Sequence, residues 1–334
     1  MKNVSTIGLD LAKNVFQVHG AEDDGTPVFN RKLRRSEVMK FFRERPACLV
    51  GMEACGSSHY WAREIAKFGH DVRLIPPTYV MAFVKRGKTD AADAEAISEA
   101  VTRKTMRFVP IKTADQQAAA MVLKARALLV RQRTQAINAL RAHLAELGII
   151  AAGGVAKVEA LIAIIRDDED AEQIEALTSQ IDELERAIVT EVKRDEDARR
   201  LTSIPGVGPI IAATVKALVP DPGGFKSARH FAAWLGLTPR AHSSGGKERL
   251  GKISKMGNPE MRSLLVAGAT SVLRIARSDA KASPWLKALL ARRPFKVAAV
   301  ALAIKMARII WALLNKGGIF QQPKMPMTSP ATAG

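Results

Sequence analysis

Four acidic side chains occupy positions where carboxylates commonly do chemistry. Asp10 follows the first apolar run of the chain, and Glu53 follows a second apolar run, Cys48–Met52. Asp90 and Asp93 open an alanine-rich stretch and are three residues apart, so a helix would place them on one face. An ionised carboxylate at the end of a buried strand is costly unless it is paired or binds a metal. Taken singly, each of the four is better explained as a turn or helix-capping residue.

Together, the four carboxylates predict a metal site. Hard oxygen ligands from separate elements suit two Mg²⁺ ions, which would lie about 3.5–4 Å apart across a phosphate group. The formal net charge of +18 favours a polyanionic partner, and nucleic acid is the commonest one. The predicted metal ligands, and the predicted catalytic carboxylates, are Asp10, Glu53, Asp90 and Asp93.

A second group of candidate residues lies in the segment His242–Lys252. Ser243 and Ser244 precede two glycines, and cations surround them: Arg240, Lys247, Arg249, Lys252 and Lys255. The composition is equally that of a disordered basic linker. The chemical interpretation is a flexible, positive loop that delivers a serine hydroxyl to a phosphate. We interpret His242 as a surface residue.

Strands and helices alternate through the first hundred residues, which predicts an α/β layer fold. Gly8, inside the first strand, is expected to let another segment approach the backbone closely. The predicted elements are, in order, a hairpin over Val4–His19, a helix over Ser36–Glu44, a strand over Cys48–Met52, a helix over Ser58–Phe68, a strand over Asp71–Ile75, and a helix that opens within Lys88–Glu95.

The remainder of the chain predicts helices. Ala114–Leu147 has one apolar stripe and several cations on its other faces, which suits either solvent or a phosphate backbone. Apolar residues spaced by three and four from Ile174 to Ile188 form a short heptad seam, which predicts pairing with the preceding helix or with another subunit. The turn Ile204–Pro209 resembles a helix-hairpin-helix and is a candidate phosphate site. Asn258–Ala276 and Val297–Leu314 are predicted to pack a second core.

Composition bounds the class of protein. With two cysteines, Cys48 and Cys55, the chain has no disulfide framework, and we expect a reducing, cytoplasmic environment. The first residues lead directly into a strand, so no signal peptide is predicted. Lys305 and Arg308 interrupt the most apolar stretch, which predicts a buried helix and no membrane span. The tail from Gln321 is expected to be disordered.

Five segments carry a resemblance to a known family, in the order GLDLAK, GMEACG, KTDAADAEAI, SIPGVGPIIAATV and FAAWLGLTPRAHSSGGKERLGKISKMGN. They make most of the chain similar to the DEDD transposases of bacterial insertion sequences, of the IS-one-ten type. The resemblance implies an RNase H-like domain over residues 1–112, like that of Holliday-junction resolvases. It also implies a helical coiled-coil segment over 113–200, a mainly helical transposase domain over 201–320 and a tail over 321–334.

The same resemblance assigns roles to individual residues. The metal-binding tetrad falls on Asp10, Glu53, Asp90 and Asp93, and the nucleophilic serine falls on Ser244, with Ser243 one residue away. The implied partners are donor and target DNA, together with a bridge RNA that pairs with both. Because several strands must be cut together, an even number of subunits, a dimer or tetramer, is expected.

Two alternatives remain open from the sequence. A junction-resolving nuclease would use the carboxylates to activate water, and Ser244 would then only bind phosphate. A non-catalytic nucleic-acid scaffold would use the carboxylates as caps. A covalent protein–DNA adduct distinguishes the transposase from the nuclease, and metal-dependent cleavage of any kind excludes the scaffold.

Overall fold

The computed structural model describes residues 4–85, 89–150, 169–241, 250–278 and 282–321. The chain divides into two compact units, residues 1–117 and 118–334. The described part of the first unit is mixed α/β, and that of the second is helical apart from one two-stranded hairpin. The predicted α/β domain followed by a helical region is therefore confirmed. Apart from Gln321, the predicted tail lies outside the described residues.

A five-stranded sheet forms the centre of the first unit, in the order β3-β2-β1-β4-β5. The strands β1 (Thr6–Asp10), β2 (Val15–Ala21) and β3 (Pro27–Arg34) are antiparallel neighbours. The strands β4 (Leu49–Glu53) and β5 (Asp71–Ile75) run parallel to β1. Parallel neighbours bring their carboxyl ends to the same edge of a sheet, which is where β1 and β4 each end in an acidic residue.

The strand β3 was not predicted, because its sequence does not have the composition of a strand. It begins at Pro27 and presents exposed Asn30, Arg31 and Lys32. An edge strand with a proline and several charges is common, since these features discourage pairing with other chains. Its pairing with β2, which is buried, determines its conformation.

Helices cover both faces of the sheet. The helices α1 (Val38–Arg43) and α2 (Ser58–Ala66) pack on the face that carries Ile7 and Leu9 of β1. The short α3 (Pro77–Val80) precedes α4 (Asp90–Val101), and α4 contacts β1, β2 and β4. Because side chains alternate along a strand, the residues that face α4 are the even-numbered ones of β1, including Asp10.

Two long helices follow, α5 (Ala114–Glu146) and α6 (Glu169–Arg194), and the division between the two units falls in the first turn of α5. They run antiparallel, because Arg126 pairs with Glu185 whereas Arg133 donates to Thr178 Oγ1 at 3.4 Å. Buried apolar residues line the contact: Ile137, Leu140, Leu144 and Ile174. The apolar seam of α6 therefore packs within the chain against α5, one of the two arrangements that its spacing predicted.

The remaining elements build a helical core. The helices are α7 (Glu196–Leu201), α8 (Pro209–Leu218), α9 (Ala228–Trp234), α10 (Pro259–Ser278), α11 (Pro284–Arg292) and α12 (Phe295–Lys316). Among the described residues, α12 alone is long and apolar enough to cross a membrane. Its residues Ala298, Leu302, Met306 and Ile310 are spaced by four and buried in this core. The interpretation of this stretch as a buried helix is confirmed.

One prediction in this unit was wrong. The loop predicted over His242–Lys252 is too long at its end, because Leu250–Lys252 belong to β7 (Leu250–Ile253), which pairs antiparallel with β6 (Pro239–Ala241). Glycine and lysine disfavour strands, so the local sequence does not predict this element. The pairing with β6 stabilises it. The helix α11 was also not predicted.

Candidate active site

Asp10 and Glu53 end two neighbouring parallel strands. The register pairs Leu9 of β1 with Met52 of β4, so the next residue on each strand is the acidic one. Neighbouring strands are about 4.8 Å apart. Both carboxylates follow a glycine by two residues, Gly8 and Gly51, and therefore share the face of the sheet on which those glycines lie.

The two glycines explain why α4 reaches this site. A β-carbon on Gly8 would lie 2.0 Å from the carbonyl oxygen of Ala94, and one on Gly51 would lie 2.8 Å from Cβ of Val101. The helix backbone therefore lies against the strands where they lack side chains. One turn before Ala94, α4 begins at Asp90, so the start of the helix is brought towards the ends of β1 and β4. The close approach expected at Gly8 is confirmed.

The first turn of α4 supplies the other two carboxylates. Thr89 is the N-cap, and its Oγ1 accepts a hydrogen bond from the backbone N–H of Ala92 at 3.2 Å. The capping role thus belongs to Thr89, and neither Asp90 nor Asp93 is needed for it. Asp90 is exposed and Asp93 is half-buried. Both gain from the partial positive charge of a helix amino terminus.

Asp10 is electrostatically coupled to all three of the other carboxylates. Burial, followed by repulsion from Asp93, Asp90 and Glu53, raises the pKa of Asp10 to about 6. A backbone hydrogen bond from Leu11 acts in the opposite direction. The structure therefore brings together the four carboxylates that the sequence singled out, with Asp10 among the other three.

The donor set suits a divalent cation. Four carboxylates supply hard oxygen ligands, and the mutual repulsion at Asp10 is what a cation would relieve. Within the described ranges, no three His, Cys, Asp or Glu side chains are arranged as a closed ligand set. The carboxylates are thus close enough to repel one another, but they are not arranged around a single metal position.

A polar group beside the carboxylates was missed by the sequence analysis. Gln17 pairs directly with Asp10 across β1 and β2, and His19 pairs with Gly8. Both side chains are buried on the face that α4 covers. Asn30 of β3 lies within hydrogen-bonding distance of both. The available signal was the alternation of Gln17 and His19 with Phe16 and Val18, which predicts a polar face but not its burial.

The serine loop lies between the two strands of the hairpin β6–β7. His242, Ser243 and Ser244 are outside the described residues, so the predicted nucleophile has no described position. The flanking strands pair Pro239 with Ile253.

The base of this hairpin is closely packed. A β-carbon on Gly236 would lie 1.9 Å from the carbonyl oxygen of Met256, and one on Gly257 would lie 2.0 Å from that of Trp234. Both glycines have positive φ angles, 72° and 91°, which favour glycine. Arg262 Nη1 donates to the Leu235 carbonyl at 3.1 Å. The chain on both sides of the hairpin β6–β7 is therefore held by close backbone packing and by the hydrogen bond from Arg262.

The predicted helix-hairpin-helix turn packs on α10. Gly206 has a φ of 84°, and a β-carbon there would lie 2.8 Å from the carbonyl oxygen of Gly268. Gly208 is the N-cap of α8, and Pro209 is its first residue. A shallow depression lies beside the turn, lined by residues that include Thr202, Ser203 and Ser271. Chain packing therefore explains Gly206, whereas a β-carbon on Gly208 would have no atom within 4 Å. Phosphate binding at this turn stays a prediction.

Comparison with protein families defines the class of the chain. A family model for the DEDD transposase of IS110 matches residues 7–149, which include all four carboxylates. A second model, described as the transposase IS116/IS110/IS902 family, matches residues 198–284, which include the serine loop. The two matches fall in the predicted order.

Individual relatives extend the likeness over nearly the full chain. A "Probable family 20 transposase" of Pseudomonas aeruginosa is 48% identical over 94% of this chain and 98% of its own length. The transposase for insertion sequence element IS1111A of Coxiella burnetii is 38% identical over 95% of this chain and 91% of its own. The transposase for insertion sequence element IS1328 of Yersinia enterocolitica is 37% identical over 96% of this chain and 100% of its own length. The chain belongs to the IS110/IS116/IS902 family of insertion-sequence transposases, enzymes that cut and rejoin DNA.

Proposed function

We propose that this transposase cuts donor and target DNA at the carboxylate cluster and forms a covalent link to DNA through Ser244. The observation that carries the proposal is the convergence of Asp10, Glu53, Asp90 and Asp93, in which burial and then the other three carboxylates raise the pKa of Asp10. Carboxylates held together repel one another, and a bound cation offsets that repulsion, so the cluster is typical of a cation-dependent site.

The four carboxylates would hold divalent cations, and Mg²⁺ is the ion we propose. When bound, such ions polarise the scissile phosphate and stabilise the leaving oxygen. The protein contributes the placement: Asp10 and Glu53 are fixed by adjacent strands, and Asp90 and Asp93 by a capped helix. The strand order and the carboxylates at adjacent strand ends support an RNase H-like assignment of the first unit.

Ser244 supplies the nucleophile in this proposal. Its Oγ forms a bond to phosphorus, the bond between phosphorus and the leaving DNA oxygen breaks, and the hydroxyl proton ends, through solvent, on that leaving oxygen, which departs as a DNA hydroxyl. The phosphoserine link conserves the ester bond until a second DNA end displaces the serine. The segment that carries Ser244 is flanked by the paired strands β6 and β7, whose base is closely packed. The match of the second family model across residues 198–284 supports the role of this region in transposition.

The partners of the proposed enzyme are DNA and a bridge RNA. A formal charge of +18 supports binding to polyanions through counterion release. The RNA is an inference from the family resemblance alone. We also propose a cytoplasmic enzyme that acts as a dimer or tetramer, organised as a catalytic domain over 1–112, a coiled-coil segment over 113–200 and a transposase domain over 201–320.

Denaturing electrophoresis tests the serine chemistry. Full-length protein is incubated with bridge RNA, Mg²⁺ and labelled donor DNA, and a protease-sensitive shifted band reports a covalent adduct. Ser244→Ala should lose both the adduct and cleavage while retaining DNA binding, and Ser243→Ala should retain all three. Cleavage by Ser244→Ala without an adduct from either protein would instead support a nuclease that activates water.

A further inference from the structure

Gln17 is a buried amide directly opposite Asp10. The two residues pair across the antiparallel strands β1 and β2, so their side chains lie on the same face with β-carbons about 5 Å apart. The Gln17 side chain is 6% exposed. Its Oε1 is buried and, among the described residues, has no hydrogen-bond partner. Buried side-chain oxygens without a partner are uncommon, and each one calls for an explanation.

The orientation of the Gln17 amide follows from that of Asn30, which a backbone carbonyl fixes. Asn30 Nδ2 donates to the carbonyl oxygen of Ala91 at 3.3 Å, and a carbonyl can only accept. The Asn30 amide must therefore direct its Oδ1 towards Gln17, where it accepts from Gln17 Nε2. Exchanging the oxygen and nitrogen of Gln17 would set two acceptors against each other. Oε1 is thus the atom that remains without a donor.

His19 is consistent with this arrangement. Asn30 Nδ2 also faces His19 Nδ1 at 3.3 Å, so the ring nitrogen is an acceptor and the imidazole is neutral. Burial lowers the pKa of His19, which agrees with a neutral ring. His19 therefore supplies no additional donor to the amides at Nδ1.

The carboxylates at the end of this face of the sheet cannot satisfy Oε1. The carboxylates coupled to Asp10 are acceptors when ionised, and they cannot donate to an amide oxygen. A cation or a water bound to one can satisfy such an oxygen. Mg²⁺ takes oxygen ligands and retains several of its waters, which are strong donors.

We propose that Gln17 is a positioning residue of the cation site, whose Oε1 supplies a neutral oxygen to the hydrated divalent cation held by the carboxylates. Asn30 links the two parts of the site. It accepts a hydrogen bond from Gln17 and donates one to the carbonyl of Ala91, in the helical turn that carries Asp90 and Asp93. The inference rests on the proposed function and adds two residues, from β2 and β3, to a site otherwise built from β1, β4 and α4.

Binding of Mn²⁺ to the full-length protein, followed by electron paramagnetic resonance at pH 8, tests the inference without measuring activity. Gln17→Met keeps a similar shape but removes the amide oxygen, and it should weaken Mn²⁺ binding about tenfold, the size expected for a residue supporting metal ligands. Asn30→Ala, at an exposed position, should weaken binding in the same direction. Val18→Ala is the matched control, because it damages the opposite face of β2 and should leave Mn²⁺ affinity unchanged.

The outcomes separate the inference from the proposed function. If Asp10→Asn abolishes binding while Gln17→Met binds within about twofold of the wild type, Gln17 is a structural amide and the inference is wrong. If the wild type itself does not bind Mn²⁺, or Asp10→Asn binds equally well, the proposed cation site fails. Should Gln17→Met not fold, as judged by circular dichroism, Asn30→Ala decides by the same criterion.

Discussion

A β-carbon on Gly8 would lie 2.0 Å from the carbonyl oxygen of Ala94, so α4 crosses the sheet at a point where β1 has no side chain. This contact sets the distance between the start of α4 and the end of β1. The active-site carboxylates of the proposed enzyme therefore depend on a packing contact between residues that carry no functional group themselves.

Gly8→Ala should damage both stability and activity. The added methyl meets backbone atoms, which cannot rotate away, so we expect a loss of at least about 2 kcal/mol in the free energy of unfolding. The displaced helix should also reduce DNA cleavage in the fraction that folds. Gly56→Ala is the control, because a β-carbon there has no atom within 4 Å. Urea unfolding curves measure the difference, and equal stability of the two variants would contradict the packing account.

Asp10 should make the metal-free protein less stable as the pH rises. Its pKa is raised from 3.8 to about 6, so between these values the folded state binds more protons than the unfolded state, and stability falls with increasing pH. Asp10→Asn removes the charge. Because the side chain is half-exposed and screened by solvent, we expect a gain of about 1–2 kcal/mol at pH 8 in EDTA, vanishing below about pH 4.

Thermal unfolding across this pH range checks the prediction. Asp24→Asn serves as the control, since hydrogen bonds from Thr26 lower the pKa of exposed Asp24. Removing that charge should give no gain at pH 8. A stability difference between Asp10→Asn and the wild type that does not change with pH would contradict the raised pKa of Asp10.

The helical pair α5–α6 should depend on its buried seam. Ile174 is 1% exposed and packs with Ile137, Leu140 and Leu144. Ile174→Ala should therefore cost about 2–4 kcal/mol. Leu147→Ala, at a position that is 75% exposed, should change stability by less than about 0.5 kcal/mol. Similar values for both variants, measured by chemical denaturation, would show that the seam does not contribute.

The sequence predicted the carboxylate site better than its surroundings. Asp10 and Glu53 could be predicted to meet because each ends an apolar run, and parallel strands align their ends. The burial of Gln17 beside Asp10 could not be predicted, since alternation of a polar residue with Phe16 and Val18 predicts a side chain that faces solvent. Only the long-range packing of α4 buries it. The strand β3 was missed for a similar reason, because pairing with β2 outweighs its local composition.

The guide requirement gives a separate prediction. Without RNA, the basic protein should bind donor and target DNA with little sequence preference, because phosphate contacts carry no sequence information. Specific recombination should appear only when the bridge RNA is added, and sequencing of the joined products measures it. Sequence-specific products from rigorously RNA-free protein would contradict the guided mechanism, whatever the carboxylates do.

The central claim is that Asp10, Glu53, Asp90 and Asp93 form one cation-dependent cleavage site. The most direct measurement is cleavage of labelled donor DNA by full-length protein with bridge RNA, with Mg²⁺ or with EDTA. We predict cleavage by the wild type only with Mg²⁺, and a loss of at least about a hundredfold in Asp10→Asn, Glu53→Gln, Asp90→Asn and Asp93→Asn. Glu99→Gln, on the same helix α4 but paired with Arg103, should remain active. Cleavage in EDTA, or near-normal cleavage by the four variants, would contradict the account.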